Sequence, residues 1–190
     1  METLAINICI LPSKQLAKVC KKVYKNDKSE YSSENLEYIP HITLHQKCIK
    51  QDDLEKIIEE IKAIDLQKFK INVWKFFYDI LLGLEIIRND NITRLQKEIL
   101  KIANNFKNTK ATKKSFLTEK YFFKDNISWL EYINKNPNLT NNLHITLWKD
   151  NQLENLKNLK YDKEFVFDTL CIWLMGNYCS VRKKLFEFKI

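Results

Sequence analysis

One tetrapeptide occurs twice in this chain of 190 residues: His-Ile-Thr-Leu stands at residues 41–44 and again at residues 144–147. The chain has only three histidines, so two of them share one sequence context in distant parts of the chain. Both copies lie in stretches that alternate apolar and polar residues, which predicts β-strands. Because strand residues i and i+2 point to the same side, each copy puts His and Thr on one face and Ile and Leu on the other. The fold must therefore bury two matched apolar strand faces.

The remaining sequence predicts a mixture of strands and helices. Strands are predicted at 4–11, 38–49, 69–78, 80–87, 143–148, 165–175 and 184–189, and helices at 13–24, 51–64, 91–106, 127–133 and 152–159. Segment 109–142 is otherwise irregular and rich in Asn. The order contains hairpins and does not alternate strictly between strand and helix, which favours an α+β fold.

The length and composition predict one globular domain that spans residues 1–190. A chain of this size with 45% hydrophobic residues can build a core without a disulfide or a metal. Its apolar stretches are shorter than the ~20 residues that span a bilayer, and the first ten residues lack the basic start of a signal peptide. The five cysteines are odd in number and form no Cys-x-x-Cys pair, which fits a reducing compartment. We therefore expect a soluble, cytoplasmic protein with no membrane association.

The chain is basic, with a formal net charge of +8. An excess of positive charge favours polyanionic partners such as nucleic acid or nucleotide phosphate. The excess of Lys, Asn and Ile has a second explanation, because A/T-rich codons encode all three residues. Charge alone does not choose between these explanations.

The duplicated motif indicates a function more specifically than the net charge does. A threonine hydroxyl can donate a hydrogen bond to a phosphate oxygen while an imidazole two residues away moves a proton. Because histidine titrates near neutral pH, one imidazole of a pair can act as base and the other as acid. A single strand His beside a Thr is usually just a satisfied polar pair, so it is the duplication that indicates a site. Neither motif has a Cys or carboxylate at i+2 to complete a zinc site, and we predict no metal.

These residues resemble the two-histidine (2H) phosphoesterases, the LigT-like superfamily defined by paired His-x-Thr/Ser motifs. The resemblance implies that His41 and His144 are the general acid and base, and that Thr43 and Thr146 bind phosphate oxygens. It also implies two pseudo-symmetric lobes, each an antiparallel sheet with outer helices, around a central cleft that carries the motifs. Pro40 matches the family's common Pro-His start, whereas the second copy has Leu in that place.

By the same resemblance, the protein is expected to be a metal-independent phosphodiesterase that uses no cofactor. Family substrates include 2′-5′-linked and cyclic nucleotides, such as 2′,3′-cGAMP and 2′,5′-oligoadenylate, whose cleavage would disable nucleotide immune signalling. Processing of RNA ends, as a 2′,3′-cyclic phosphodiesterase or 2′-5′ RNA ligase, is the alternative. A third hypothesis is a non-catalytic nucleotide- or RNA-binding module, which the intact His and Thr in both motifs argue against. The expected partner is a nucleotide or short RNA, with no obligate protein partner.

Unbroken alternation extends the candidate site to other residues. It puts His45 and Trp148 on the same face as the motif histidines, four positions further along, as possible substrate contacts. Trp148 is then placed to stack on a base or to cap the core. On the first strand, Asn7 and Cys9 alternate with the apolar isoleucines and are candidates for the floor of the cleft.

Overall fold

A computed structural model describes residues 2–25, 38–78, 82–117, 124–136, 142–148 and 160–190. The strands are β1 (Thr3–Ile10), β2 (Ile42–Lys50), β3 (Phe69–Tyr78), β4 (Leu82–Ile87), β5 (His144–Trp148), β6 (Glu164–Phe167), β7 (Thr169–Met175) and β8 (Val181–Lys189). The helices are α1 (Lys14–Lys25), α2 (Leu54–Lys62), α3 (Asp90–Asn105) and α4 (Asp125–Lys135). Within these ranges, no helix has the length and apolar character needed to cross a membrane.

The strands form one antiparallel sheet in the order β6-β3-β4-β5-β2-β1-β7-β8. Strands β1, β2, β7 and β8 make one four-stranded half, and β3 to β6 make the other. The halves meet where β2 and β5 pair through Ile42 and Ile145. The predicted α+β class with two antiparallel halves is confirmed, and the motif strands β2 and β5 are the adjoining inner strands of the two halves.

The main core lies on the face of the sheet that α1, α2 and α3 cover. The apolar residues of the duplicated motif are at most 2% exposed on this face, as the alternation predicts: Ile42, Leu44, Ile145 and Leu147. Helix α3 presents an apolar stripe to it, and Asn89 caps the helix by accepting a hydrogen bond from the Ile92 amide. Each fully buried isoleucine or leucine contributes about 1.5–3 kcal/mol of transfer free energy.

Helix α4 lies against the opposite face, at one end of β1 and β2. Its Leu130 packs with Ala5 and Cys48, and Phe116 joins this smaller cluster from a 3₁₀ turn over Lys113–Ser115. The irregular segment 109–142 thus includes a short helix, as predicted, that covers part of the face opposite the main core. The motif histidines lie on the same face beyond this cover.

The prediction of a single long strand over 165–175 is wrong. It is broken at Asp168, because β6 pairs with β3 of one half while β7 pairs with β1 of the other. The chain crosses between the halves at this residue, and a purely local pattern carries no sign of the change of partner. The helix predicted over 152–159 lies outside the described residues.

Candidate active site

The pairing of β2 with β5 brings the two motifs together. The antiparallel register sets Ile42 opposite Ile145, and therefore His41 opposite Thr146 and Thr43 opposite His144. Directly opposite residues point to the same side, with Cβ atoms about 4.5–5.5 Å apart. The four side chains are partly exposed on the face opposite the main core, and we call them the His/Thr face.

Both imidazoles are held in the same way. Nδ1 of His41 lies 2.8 Å from the carbonyl oxygen of Ile39, and Nδ1 of His144 lies 2.8 Å from that of Asn142. A carbonyl oxygen only accepts, so Nδ1 carries the proton in each ring. Nε2 is left as the atom that takes or gives a proton, which is the arrangement that a positioned acid or base requires.

The surroundings of the two rings differ. Burial lowers the pKa of His41 to about 4, against the opposing effect of the Ile39 carbonyl, and the positive charges of His144 and Arg182 lower it further. His41 is therefore neutral at pH 7 and ready to accept a proton. His144 instead packs edge-to-face on Phe77, with 5.7 Å between ring centroids, and has Glu85 as its register partner on β4.

A glycine makes the contact between Phe77 and His144 possible. Gly83 lies opposite Phe77 on one side and Thr146 on the other. A Cβ atom at this position would stand 2.5 Å from the Phe77 ring, so any other residue would displace the ring. The absence of a side chain lets Phe77 lie across β4 and reach the imidazole.

Asn7 supports the first motif from within the sheet. It is 0% exposed, and its Nδ2 donates to Oγ1 of Thr43 at 3.1 Å. Because the threonine hydroxyl accepts this bond, its own proton remains free for an anionic acceptor. Asn7 Oδ1 has no hydrogen-bond partner among the described residues. Alternation placed Asn7 on this face, but its bond to Thr43 follows from the strand register, which the sequence does not give.

The second motif is tied to the segment that leads into the first. The hydroxyl of Tyr38 donates to the carbonyl oxygen of Thr146 at 2.5 Å. This bond crosses from one half of the sheet to the other and helps to fix the separation of the motifs. Sequence reasoning missed Tyr38 and Phe77 as parts of the site and gave no ground for choosing Arg182, because their positions depend on tertiary packing.

The prediction that His45 shares the histidine face is wrong. A β-bulge interrupts β2, since Cys9 lies opposite Thr43 while the preceding Ile8 lies opposite His45, so that Leu44 is an extra residue. His45 therefore points with Ile8 to the helix-covered face, where it is 5% exposed. Burial, together with the charge of Lys47, lowers its pKa to about 4.

Helix α3 holds this bulge in place. Gln96 is 1% exposed, and its Nε2 donates to the carbonyl oxygen of Leu44 at 3.1 Å. Nη1 of Arg88 donates in turn to Gln96 Oε1 at 2.8 Å. A buried polar side chain thus satisfies the backbone group at the irregular position, which stabilises the turn of His45 away from the site.

The second motif has a matching irregularity. Gly83 pairs with Thr146 but Leu82 pairs with Trp148, which leaves Leu147 as the extra residue in β5. The side chain of Trp148 lies outside the described part of the structure. Its role in substrate contact stays a prediction.

Three solved structures have the same fold as this chain. They are E. coli LigT complexed with NADP+ (TM-score 0.62, 8% identity, 100% of this chain and 99% of that chain), a phosphoesterase (0.59, 9%, 100% and 99%) and TT0787 of Thermus thermophilus (0.58, 10%, 98% and 97%). No family model and no curated protein matches the sequence. The likeness covers nearly the whole length of each chain, and the LigT-like fold implied by the paired motifs is confirmed.

Proposed function

We propose that this chain is a two-histidine phosphoesterase, a metal-independent phosphodiesterase with His41 as general base and His144 as general acid. The observation that carries the proposal is the His/Thr face, where two imidazoles with bonded Nδ1 atoms stand across one strand pair. The fold adds support, because one of the similar structures is described as a phosphoesterase, and LigT is described in complexes with NADP+, ATP and 3′-AMP.

The different surroundings of the histidines support different roles for them. His41 is neutral at pH 7, since burial and neighbouring positive charges lower its pKa to about 4, so its Nε2 has a lone pair for a proton. His144 takes the other role, because it stands across the strand pair from His41, where it can give a proton to the leaving oxygen. Thr43 and Thr146 donate to the phosphate oxygens between the rings, and the charge of Arg182 stabilises the negative charge that develops there.

The reaction proceeds by attack of a ribose hydroxyl next to the phosphodiester. His41 removes the hydroxyl proton as the new P–O bond forms, and His144 gives its proton to the leaving oxygen as the old P–O bond breaks. The products are a cyclic phosphate and a free hydroxyl. With a cyclic phosphate as substrate, water takes the place of the ribose hydroxyl and the ring opens.

The proposed substrates are 2′-5′-linked or cyclic nucleotides. A 2′-5′ linkage has a free 3′-hydroxyl beside its phosphate, whereas a deoxyribose 3′-5′ linkage has no adjacent hydroxyl, so DNA is expected to be inert. The net charge of +8 suits polyanionic substrates. We prefer the 2′-5′ linkage on the family resemblance.

A substrate panel tests this function. The protein is incubated in excess EDTA with 2′,3′-cGAMP, 3′,3′-cGAMP, 2′,5′-oligoadenylate and an RNA that ends in a 2′,3′-cyclic phosphate, and products are identified by mass. Cleavage of 2′,3′-cGAMP or 2′,5′-oligoadenylate in the presence of EDTA is the expected result. Turnover of the RNA end alone would assign the protein to RNA-end processing. Activity that is lost with EDTA and restored by a divalent metal would overturn the mechanism.

A further inference from the structure

An open recess of about 210 Å³ lies next to the residues that lead into His144, on the half of the sheet that α4 does not cover. Trp74, Glu85, Ile87, Arg88 and Asn142 contribute to its lining. The recess lies close to the His/Thr face, because Asn142 contributes to its lining and also bonds Nδ1 of His144 through its carbonyl oxygen. We call it the β3–β4 recess.

The strand registers align the recess with the histidine. Glu85 lies opposite His144, and therefore points to the same side of the sheet. On β3, Val73 pairs with Ile86 and Phe76 with Leu84, so that Trp74 and the residue after it both lie opposite Glu85. Trp74, Glu85 and His144 thus form a row across three adjacent strands. With about 4.8 Å between strands, Trp74 lies about 10 Å from His144, which is the reach of one nucleotide from its phosphate to its base.

Trp74 offers an exposed aromatic surface at the far end of this row. Its side chain is 51% exposed, although tryptophan is usually well buried. Its backbone carbonyl receives hydrogen bonds from the Tyr161 hydroxyl at 3.0 Å and from Lys163 Nζ at 3.2 Å, which hold β3 at the bulge. Lys75 Nζ lies 4.1 Å from the centre of the indole ring and adds positive charge on one side.

We propose that the β3–β4 recess is a nucleobase subsite for the nucleotide whose phosphate lies between the two histidines. Trp74 stacks on the base, and the Glu85 carboxylate accepts hydrogen bonds from its edge. Guanine fits best, because its Watson–Crick edge has two adjacent donors at N1 and N2, whereas adenine presents the N1 lone pair to the carboxylate. This inference rests on the proposed function, since it takes the position of the phosphate from it.

The size and charge of the recess favour a nucleotide over a protein. Its exposed apolar surface consists of one indole and Ile87, flanked by Glu85, Arg88 and Lys75. A stable protein interface buries about 800 Å² on each partner, far more than this surface provides. One base stacked on one indole matches it.

Isothermal titration calorimetry tests the subsite with 3′-GMP, 3′-AMP and inorganic phosphate as probes. Wild-type protein is expected to bind 3′-GMP more tightly than 3′-AMP, and both more tightly than phosphate. Trp74→Ala should weaken 3′-GMP binding by about 5- to 100-fold and leave phosphate binding unchanged, and Trp74→Phe should retain most of the affinity. Glu85→Gln should bring the affinities for 3′-GMP and 3′-AMP together.

A second exposed tryptophan gives the matched control. Trp129 on α4 is 38% exposed and stacks on Tyr132, outside the recess. Trp129→Ala is expected to bind all three probes as the wild type does. An unchanged 3′-GMP affinity in Trp74→Ala, or an equal loss in Trp129→Ala, would overturn the subsite.

The titration does not depend on turnover, so the two proposals fail in different ways. Wild-type protein that binds 3′-GMP through Trp74 but cleaves no compound of the substrate panel would overturn the proposed function and leave the base subsite standing. Protein that cleaves the panel while Trp74→Ala keeps wild-type affinity would overturn the subsite alone.

Discussion

The two copies of His-Ile-Thr-Leu have the same sequence and nearly the same backbone geometry, yet they lie in different surroundings. Each imidazole bonds a carbonyl two residues earlier, and each strand is irregular at the motif leucine. Around them, His41 has Arg182 close enough to affect its pKa and Asn7 on its threonine, whereas His144 has Phe77 and the Glu85 position. The local sequence thus sets the orientation of both histidines, and the packing of other strands gives them the different surroundings on which the proposed roles rest.

Replacing the histidines has the largest expected effect. His41→Ala and His144→Ala should each lower kcat/KM by about 10²–10⁴, the usual contribution of a positioned acid or base. Circular dichroism and thermal melting should give a folded protein in both cases. A variant of either histidine with near wild-type turnover would show that the motifs are not equivalent partners in the chemistry.

Replacing Asn7 is expected to affect Thr43 and to leave Thr146 unaffected. Thr43→Ala and Thr146→Ala should each lower kcat/KM by about 10-fold, the worth of one hydrogen bond to a charged group. Asn7→Ala should lower kcat/KM by a similar factor, because Asn7 orients the Thr43 hydroxyl. In double-mutant cycles, Asn7→Ala is expected to be non-additive with Thr43→Ala and additive with Thr146→Ala. Additive effects with both threonines would contradict the positioning role.

Replacing Arg182 is expected to change the pH dependence of kcat/KM through His41. Because the pKa of His41 is lowered to about 4, the acid limb of kcat/KM should fall well below pH 6. Since the Arg182 charge contributes to this lowering, Arg182→Gln should raise the pKa of His41 and move the limb to higher pH. Lys183→Gln, at an exposed neighbour on the same strand, is the control and should leave the limb in place. An acid limb of kcat/KM that stays at the same pH in Arg182→Gln would rule out an electrostatic effect of Arg182 on His41.

His45 gives the smallest effect on function and a distinct effect on stability. Its pKa is about 4 in the fold against 6.5 in the unfolded chain, so the unfolded chain binds more protons between these values. Stability should therefore fall as pH drops from about 6.5 to 4, by up to about 3 kcal/mol from this group. His45→Asn should remove the His45 part of this dependence in urea titrations, leave the part that His41 contributes through its own lowered pKa, and retain activity at pH 7. An unchanged pH dependence would show that His45 is not held neutral by burial.

The sequence predicts the α+β class, most of the elements and the shared face of His41, Thr43, His144 and Thr146, because period-two alternation and the duplication are local signals. It does not predict the direction of His45, because a bulge depends on which residues of β1 lie opposite β2 and on Gln96 of a distant helix. Strand register likewise decides that Glu85 lies beside His144. Local alternation gives the faces of a strand, and the partner strands decide where those faces change.

The assignment of His41 as base and His144 as acid is tested most directly with a guanosine 2′-(4-nitrophenyl phosphate) substrate. Nitrophenolate leaves without protonation, while the 3′-hydroxyl attack still needs a base. We predict that His144→Ala cleaves this ester within about 10-fold of the wild-type rate, and that His41→Ala remains slower by about 10²–10⁴. Rescue of His41→Ala in place of His144→Ala, or equal defects in both variants, would contradict the assignment.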